Sequence, residues 1–356
     1  MELGICVASK IDDIDYIVRA EALGYTHAWV ADSQMIWSDP YAVLALAAHR
    51  TSTIRLGTGV AVAPIRPAPV TAASIATINA IAPGRTFLGI GTGNTAMRIM
   101  GHKPMPIAEF DEYLTTLAPL LRGEETDFTW RGRTSPVRHL MPDAGFVNFD
   151  DEIPVYVSGF GPRSMKLAGK HGAGAVVSIP PDPTAMARVW RNLEAGAAEA
   201  GRTIERSRFL TSSLSMIVIL EPGEPVDSER VQRQCGAFAM SAVHYSYDQW
   251  RNYGRPPSGP AAAVWEDYTT LLDEVPDEVR HLRIHEGHCC WVVPEEERFL
   301  TQALIEASCL VGTAEQVLEK LQALDEAGLQ QMMIIPSLEP RYDVLEQVAT
   351  EILPHL

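Results

Sequence analysis

The feature of the sequence that most constrains its fold is a repeated unit of an apolar strand, a short turn and an amphipathic helix. Strands rich in Val, Ile and Leu with little alternation are typical of a parallel sheet that helices cover on both faces. Eight such units in 356 residues predict a (β/α)8 TIM barrel, and an open doubly wound sheet is the alternative with the same local pattern. The predicted strands are residues 3–8, 26–31, 54–62, 86–90, 153–157, 175–179, a segment within 209–220, and 331–335.

One long stretch, from about residue 221 to 310, does not fit the repeat. It contains aromatic residues, histidines and a Pro-Pro-Ser-Gly-Pro loop at 256–260. We interpret it as an insertion between strands seven and eight of a single barrel domain that spans residues 1–356. Additions at the C-terminal face of a barrel often cover the active site. A second irregular stretch, 127–151, predicts short strand pieces near 128–130 and 146–149.

Short polar motifs mark the predicted helix starts. Asp39 followed by Pro40 supplies an N-cap and a first-turn proline, and Thr313 with Gln316 forms a capping box. Ser9 followed by Asp12 resembles a capping box at the start of the first helix.

Charge and cysteine usage exclude several classes of protein. A net charge of -16 argues against nucleic acid or an anionic membrane as the main partner. The longest apolar run, 214–220, is far too short to span a bilayer. The five cysteines are scattered without a C-x-x-C motif, and the N-terminal MELGICVASK lacks a basic leader. We therefore expect a soluble cytoplasmic protein.

The glycines of FLGIGTGNTA, residues 87–96, raise the question of a dinucleotide-binding turn. That fingerprint requires a long helix directly after the glycines, and an acidic residue at the end of the next strand. Here Gly101, Pro104 and Pro106 interrupt the following segment, which disfavours such a turn. Glycines at the end of a strand also allow a flat ligand to approach the backbone closely, because they carry no Cβ.

Five segments together resemble the bacterial luciferase-like oxidoreductases, in particular the members related to methylenetetrahydromethanopterin reductase. The resemblance covers most of the barrel strands in the family's order but not the insertion. It implies a TIM barrel that binds FMN or the deazaflavin coenzyme F420. The segments are GYTHAWVAD (24–32), IRLGTGV (54–60), INAIAPGRTFLGIGTGN (78–94), IPVYVSGFGPRSMKLAGKHGAGAV (153–176) and LVGTAEQVLEKLQALDEAGL (310–329).

The resemblance implies that the cofactor lies across the C-terminal ends of the strands. Gly59 and Val60 stand where relatives carry a bulge, often with a non-prolyl cis peptide, that supports the ring. The turn from Ser158 to Ser164 resembles the family's phosphate-binding turn, and glycines before a helix N-terminus suit an anion on chemical grounds alone. The implied cofactor-binding residues are Ala8, Ser9, Ser33, Gly59, Val60, Thr92, Gly93, Asn94, Ser158, Gly159, Phe160, Gly161, Pro162, Arg163 and Ser164.

The catalytic residues are less well marked. Several relatives carry a histidine or glutamate where this chain has Ser33, so Asp32 is the nearest candidate base, with capping of a turn as its alternative role. His285 and His288 are candidate acid–base groups, and surface histidines are the alternative.

The insertion is predicted to supply a lid on the substrate side of the site. His244 and Tyr245 are its candidate substrate contacts, and Trp37 is another unless it only packs in the core. We do not predict a metal, because His285, His288, Cys289 and Cys290 are crowded into one loop without a second ligand pair at a distance.

Two chemistries remain open from the sequence. With reduced FMN, often delivered by a separate flavin reductase, the family oxidises a small organic substrate with oxygen; with F420 it transfers a hydride. We favour an FMN monooxygenase narrowly, because the anionic tail of F420 would need positive charge from residues such as Arg66, Arg98 or Lys103 in an acidic chain. A catalytically inactive flavin-binding barrel is the further alternative. The resemblance also implies a homodimer.

Overall fold

Eight parallel strands close into a barrel in the computed structural model, which describes residues 1–180 and 182–356. The strands are β1 Glu2–Val7, β2 His27–Val30, β3 Arg55–Val62, β4 Thr86–Gly91, β5 Thr126–Trp130, β6 Arg133–Val137, β7 Val155–Ser158, β8 Gly174–Val177, β9 Leu210–Ser215, β10 Ile217–Ile219, β11 Leu310–Gly312 and β12 Gln331–Ile334. All eight predicted strands are present. The order around the barrel is β1-β12-β9-β8-β7-β4-β3-β2, so the predicted (β/α)8 barrel is confirmed and the open sheet is wrong.

Helices surround the barrel and build the insertion. They are α1 Asp15–Leu23, α2 Pro40–Arg50, α3 Ala68–Ile81, α4 Asn94–Arg98, α5 Ile107–Leu120, α6 Pro162–His171, α7 Thr184–Glu199, α8 Glu229–Tyr253, α9 Pro260–Ala263, α10 Trp265–Asp273, α11 Arg280–Ile284, α12 Gln302–Ser308, α13 Ala314–Glu326 and α14 Arg341–Glu351.

The polar helix-start motifs are confirmed at two of three positions. The Asp39 side chain accepts hydrogen bonds from the N–H groups of Tyr41 and Ala42, and Thr313 and Gln316 form a capping box. The prediction for Ser9 is wrong, since α1 begins only at Asp15. Instead the Ser9 hydroxyl donates to the carbonyl oxygen of Ala31, which ties the end of β1 to the end of β2.

The irregular stretch after α5 contains one antiparallel hairpin, β5–β6. The strand predicted near 128–130 is confirmed, and the one near 146–149 is wrong. That segment is held by amide side chains instead, because Asn79 donates to the carbonyl oxygen of Asn148 at 3.1 Å and Asn148 donates to that of Asn79 at 3.3 Å.

The insertion leaves the barrel directly after β9. The predicted segment 209–220 forms two strands, because β9 ends at Ser215 and β10 then pairs outside the barrel with β11 in a parallel sheet of two strands. Between β10 and β11 lie the helices α8 to α12. The insertion between barrel strands seven and eight is therefore confirmed, and its two ends are held side by side.

Aromatic side chains fill the barrel. Trp29 lies with its ring centre 4.4 Å from Phe87 and 5.5 Å from Tyr156, and its indole N–H donates to Gln331 at 2.9 Å. Burial of rings of this size stabilises a core by about 1.5–3 kcal/mol each. We call this group the interior cluster; six barrel strands contribute to it, and so does Cys289 of the insertion. Its buried members are Cys6, Trp29, Ala31, Phe87, Tyr156, Val176, Cys289, Met333 and Ile335.

All five cysteines are buried and carry free thiols. Among the described residues, the structure has no helix that is both long and apolar enough to cross a bilayer.

Candidate active site

The strand predicted to support a flat ring is irregular at the expected residues. The register between β3 and β4 shifts between Thr58 and Ala61, and the peptide bond between Gly59 and Val60 is cis. A Cβ on Gly59 would lie only 2.5 Å from the Cβ of Trp29, so the bulge fits closely against β2. The bulge is thus present at the mouth of the barrel, and its contact with a cofactor stays a prediction.

The glycines after β4 form a turn and not the start of a long helix. Gly93 has a left-handed backbone (φ 78°) and caps α4, which is only five residues long. A Cβ there would lie 2.7 Å from Cγ1 of Val62. Thr92, Gly93 and Asn94 are half-buried beyond the end of β4, and their contact with a cofactor stays a prediction.

The candidate phosphate turn joins the end of β7 to the start of α6. Gly161 is the N-cap residue of α6, and its N–H donates to the Ser164 hydroxyl at 3.2 Å. A Cβ on Gly161 would meet no atom within 4 Å, whereas one on Gly159 would lie 2.8 Å from the backbone nitrogen of Met165. Space therefore exists beside Gly161 at a helix N-terminus, where an anion is favoured.

The remaining residues of this turn differ in exposure. Phe160, Pro162 and Arg163 are exposed, and Ser158 is half-buried at the end of β7. An exposed arginine beside the open position suits a phosphate, although no contact within the described chain fixes its place.

Asp32 braces two strand ends. Its Oδ2 accepts a hydrogen bond from the Val62 N–H at 3.1 Å and forms an ion pair with Arg66. Arg66 in turn forms an ion pair with Asp39 at 2.8 Å. Burial raises the pKa of the Asp32 carboxyl above its ordinary value, although Arg66 and the Val62 N–H oppose this shift. The Val62 N–H belongs to β3 and not to a turn beside Asp32, and the action of Asp32 as a base stays a prediction.

Ala8, Ser9 and Ser33 lie where the sequence places them. Ala8 follows β1 and is half-buried, and Ser9 and Ser33 are buried beyond the ends of β1 and β2. The Ser33 carbonyl oxygen accepts hydrogen bonds from the N–H groups of Ile36 and Trp37, each at 3.1 Å.

The insertion covers the mouth of the barrel. The Trp37 indole N–H donates to the Cys290 sulfur at 3.2 Å, and the hydroxyls of Tyr245 and Thr95 are hydrogen-bonded at 2.7 Å. Cys289 is packed into the interior cluster. The segment around residues 285–291 therefore lies directly over the strand ends, as a lid on the substrate side would.

Three of the four histidines of the insertion, His244, His285 and His288, are buried, so the surface-histidine alternative is wrong for His285 and His288. Nε2–H of His285 donates to the Asp248 carboxylate at 3.0 Å, and Nε2–H of His244 donates to the Glu296 carboxylate at 2.9 Å. Burial lowers the pKa of His285, and burial with the two neighbouring imidazoles lowers the pKa of His288 well below its ordinary value. The acid–base role of His285 and His288 stays a prediction.

Sequence reasoning missed Asp248 and Glu296, and it considered Arg98 only as a contact for the tail of F420. Arg98 forms a buried ion pair with Asp248 at 2.9 Å, and Glu296 supports His244. The argument against a metal counted only one crowded loop, but α8 brings His244 to the same place. The sequence does show that His244 and Asp248 share one face of a helix, because they are four residues apart, but it does not show what that face packs against.

Comparison with known proteins places the chain among flavin and deazaflavin enzymes. The sequence model of the family described as luciferase-like monooxygenase matches residues 9–331. A 5,10-methylenetetrahydromethanopterin reductase of Archaeoglobus fulgidus is 26% identical over 354 residues, which are 98% of this chain and 96% of the relative. The 4-hydroxyprotoasukamycin monooxygenase of Streptomyces nodosus subsp. asukaensis is 30% identical over 279 residues, 73% of this chain and 71% of the relative. The solved coenzyme F420-dependent tetrahydromethanopterin reductase of Methanopyrus kandleri shares the fold, with a TM-score of 0.69, 21% identity and 99% coverage of both chains.

Proposed function

The chain belongs to the luciferase-like monooxygenase family, and we propose that it is an oxidoreductase that uses coenzyme F420 to transfer a hydride to or from a small organic substrate. The relatives include both a reductase and a monooxygenase, so membership alone gives a redox enzyme of the flavin and deazaflavin class. This proposal replaces the narrow preference for FMN that the sequence alone supports.

The observation that carries the proposal is the extent of the match to the reductase. That alignment spans 98% of this chain and 96% of the relative, so it runs through the insertion that covers the barrel mouth. The monooxygenase match spans only 73% of the chain. The insertion determines which residues face the cofactor. Sequence similarity that includes the insertion is therefore stronger support for a shared reaction than similarity of the barrel alone.

The described residues fit a cofactor with a flat ring and a phosphate. The bulge at Gly59 and Val60 and the turn Thr92–Asn94 would hold the ring, and the open space beside Gly161 would hold the phosphate. Bound F420 supplies a carbon that accepts or donates a hydride. The chain's task is to hold the substrate carbon against that atom and to keep water away.

The insertion suits this task. Trp37 and Tyr245 stand between the strand ends and the covering segment, and both are tied by hydrogen bonds to their neighbours. A cover of this kind over the barrel mouth would exclude water from a reactive cofactor. Of the three cations considered for the anionic tail of F420, Arg66 and Arg98 are engaged by carboxylates, and Lys103 is exposed.

An equilibrium titration tests the cofactor. The purified protein is titrated without oxygen with F420 and, separately, with FMN, each oxidised and reduced, and binding is followed by fluorescence. We expect F420 to bind at least about tenfold more tightly than FMN, a difference of about 1.4 kcal/mol. Tighter binding of FMN would overturn the proposal.

A monooxygenase that uses reduced FMN is the second candidate. The 30% identity to 4-hydroxyprotoasukamycin monooxygenase favours it, and so does the pairing of Arg66 and Arg98 with acidic groups. In the same titration this candidate requires preferential binding of reduced FMN and rapid oxygen consumption once substrate is added. Binding of a cofactor without turnover of any substrate would indicate the inactive flavin-binding barrel, and failure to bind either cofactor would overturn both candidates.

A further inference from the structure

Three imidazoles meet inside the insertion, next to the barrel mouth. His244 lies on α8, and His285 and His288 follow α11. All three are buried, with exposed fractions of 3%, 5% and 7%. One ring nitrogen of each lies within 4.8 Å of those of the other two, and within the described part of the chain this is the one group of three or more such side chains that could hold a metal ion.

Two carboxylates fix the orientation of two of these rings. Nε2 of His244 is bonded to Glu296 at 2.9 Å, and Nε2 of His285 is bonded to Asp248 at 3.0 Å. Asp248 is held in turn by Arg98 at 2.9 Å. A carboxylate on one ring nitrogen leaves the other nitrogen for a metal, and metal-binding histidines in proteins almost always have such a partner.

The nitrogens left over have no partner. Among the described residues, Nδ1 of His244, of His285 and of His288 is buried without any hydrogen bond. A buried polar atom without a partner costs free energy, and buried side-chain atoms in folded proteins are rarely left so. Three such nitrogens in one cluster need an explanation, and a cation held between the three rings would supply one.

We propose that His244, His285 and His288 bind a divalent transition metal, with zinc as the best match to three imidazoles. Imidazole nitrogen suits zinc, copper, nickel and iron, and three histidine ligands with one open position are typical of catalytic zinc sites. Glu296 and Asp248 are positioning residues, since each acts through a histidine. In this arrangement the three rings are ligands and not carriers of protons.

The fourth coordination position of the metal, which no histidine fills, indicates the class of ligand that the site would take. The ring of Trp37 lies 5.8 Å from that of His288, and the ring of Tyr245 lies 5.9 Å from that of His285. Both aromatic residues border the predicted substrate compartment, so the fourth ligand is an oxygen atom of a carbonyl or hydroxyl substrate, or water in its absence. This role of the open position rests on the proposed function, whereas metal binding does not.

Metal binding is measured on the untagged full-length protein in the absence of any cofactor, so that its outcome is separate from that of the F420 titration. After dialysis against a chelator, the protein is titrated with Zn²⁺ in competition with a chromophoric indicator, and with Co²⁺ by visible absorption. We expect one ion per chain and the intense bands of four-coordinate Co²⁺. Absence of Zn²⁺ binding, or the weak spectrum of six-coordinate Co²⁺, would overturn the proposal.

Variants locate the ion. His244→Gln and His288→Gln should weaken Zn²⁺ binding by more than about 100-fold, since loss of a supporting carboxylate alone typically costs about 10- to 100-fold. Glu296→Gln should fall in that lower range and keep one ion per chain. His281→Gln, on α11 beside Gly101, is the matched control and should bind as the parent does.

Equal losses in His281→Gln and His288→Gln would place the ion elsewhere and refute the assignment. If His288→Gln fails to fold, as circular dichroism would show, Glu296→Gln and the Co²⁺ spectrum of the parent protein still decide it. A Glu296→Gln variant with unchanged affinity would contradict the proposed support of His244.

Discussion

Replacement of Gly161 by leucine should weaken cofactor binding without weakening the fold. The backbone there has a φ of -106°, which any residue adopts, and a side chain would point into open space. Leucine is a poorer N-cap than glycine by about 0.5–1 kcal/mol, and loss of glycine's freedom in the unfolded chain returns about 0.4–1 kcal/mol. The two effects nearly offset, so we expect the free energy of unfolding to change by less than about 0.5 kcal/mol.

Cofactor binding should respond much more strongly. A hydrogen bond from a backbone N–H to a charged group contributes about 1.5–3 kcal/mol, and the leucine side chain would occupy the space where the phosphate must approach. The dissociation constant of F420 should therefore rise by about 10- to 150-fold. Fluorescence titration gives that constant, and urea denaturation gives the free energy of unfolding.

Gly159→Ala is the matched control at the same turn. Its Cβ would lie 2.8 Å from the backbone nitrogen of Met165 and 2.9 Å from the backbone carbon of Ser164, and backbone atoms cannot yield as a flexible side chain does. We expect a loss of about 1–3 kcal/mol in stability. The reasoning would be refuted if Gly161→Leu lost as much stability as Gly159→Ala, or if Gly161→Leu bound F420 as well as the parent.

Two further substitutions separate roles at the barrel mouth. Asp32→Asn should lower the free energy of unfolding, measured in urea, by about 1.5–3 kcal/mol, because Arg66 and the Val62 N–H lose a charged partner. A variant with full stability but abolished turnover would instead make Asp32 a catalytic base. Trp37→Leu removes the contacts with His288 and Cys290, worth about 0.5–1.5 kcal/mol, so kcat/KM should fall by up to about tenfold. The F420 dissociation constant should stay unchanged, and a matching rise in it would show that Trp37 contacts the cofactor.

The barrel could be predicted from the sequence because the residue patterns that specify its strands and helix caps are local. Strands such as β2, β4 and β8 are short, largely apolar runs that are buried on both faces, and caps such as Asp39 and Thr313 act on residues two or three positions away. Predictions failed where a residue has the local sequence pattern of one role but contacts a residue that is distant in the chain. Ser9 has the spacing of a capping residue, but its hydroxyl binds Ala31 on the next strand.

The candidate site was predictable only in part, for the same reason. The glycine-rich turns after β4 and β7 are visible as sequence, and the structure places both at the mouth. The histidine cluster depends on how α8 packs against the segment after α11, which no spacing between His244 and His285 reveals. Packing of the insertion also decides that Cys289 enters the barrel interior.

A crystal structure of the protein with F420 bound tests the central claim most directly. The account predicts that the ring rests on the bulge at Gly59 and Val60, that its edge faces Trp37, and that the phosphate lies within hydrogen-bonding distance of the turn from Ser158 to Ser164. A phosphate bound elsewhere, or a ring outside the mouth of the barrel, would contradict it.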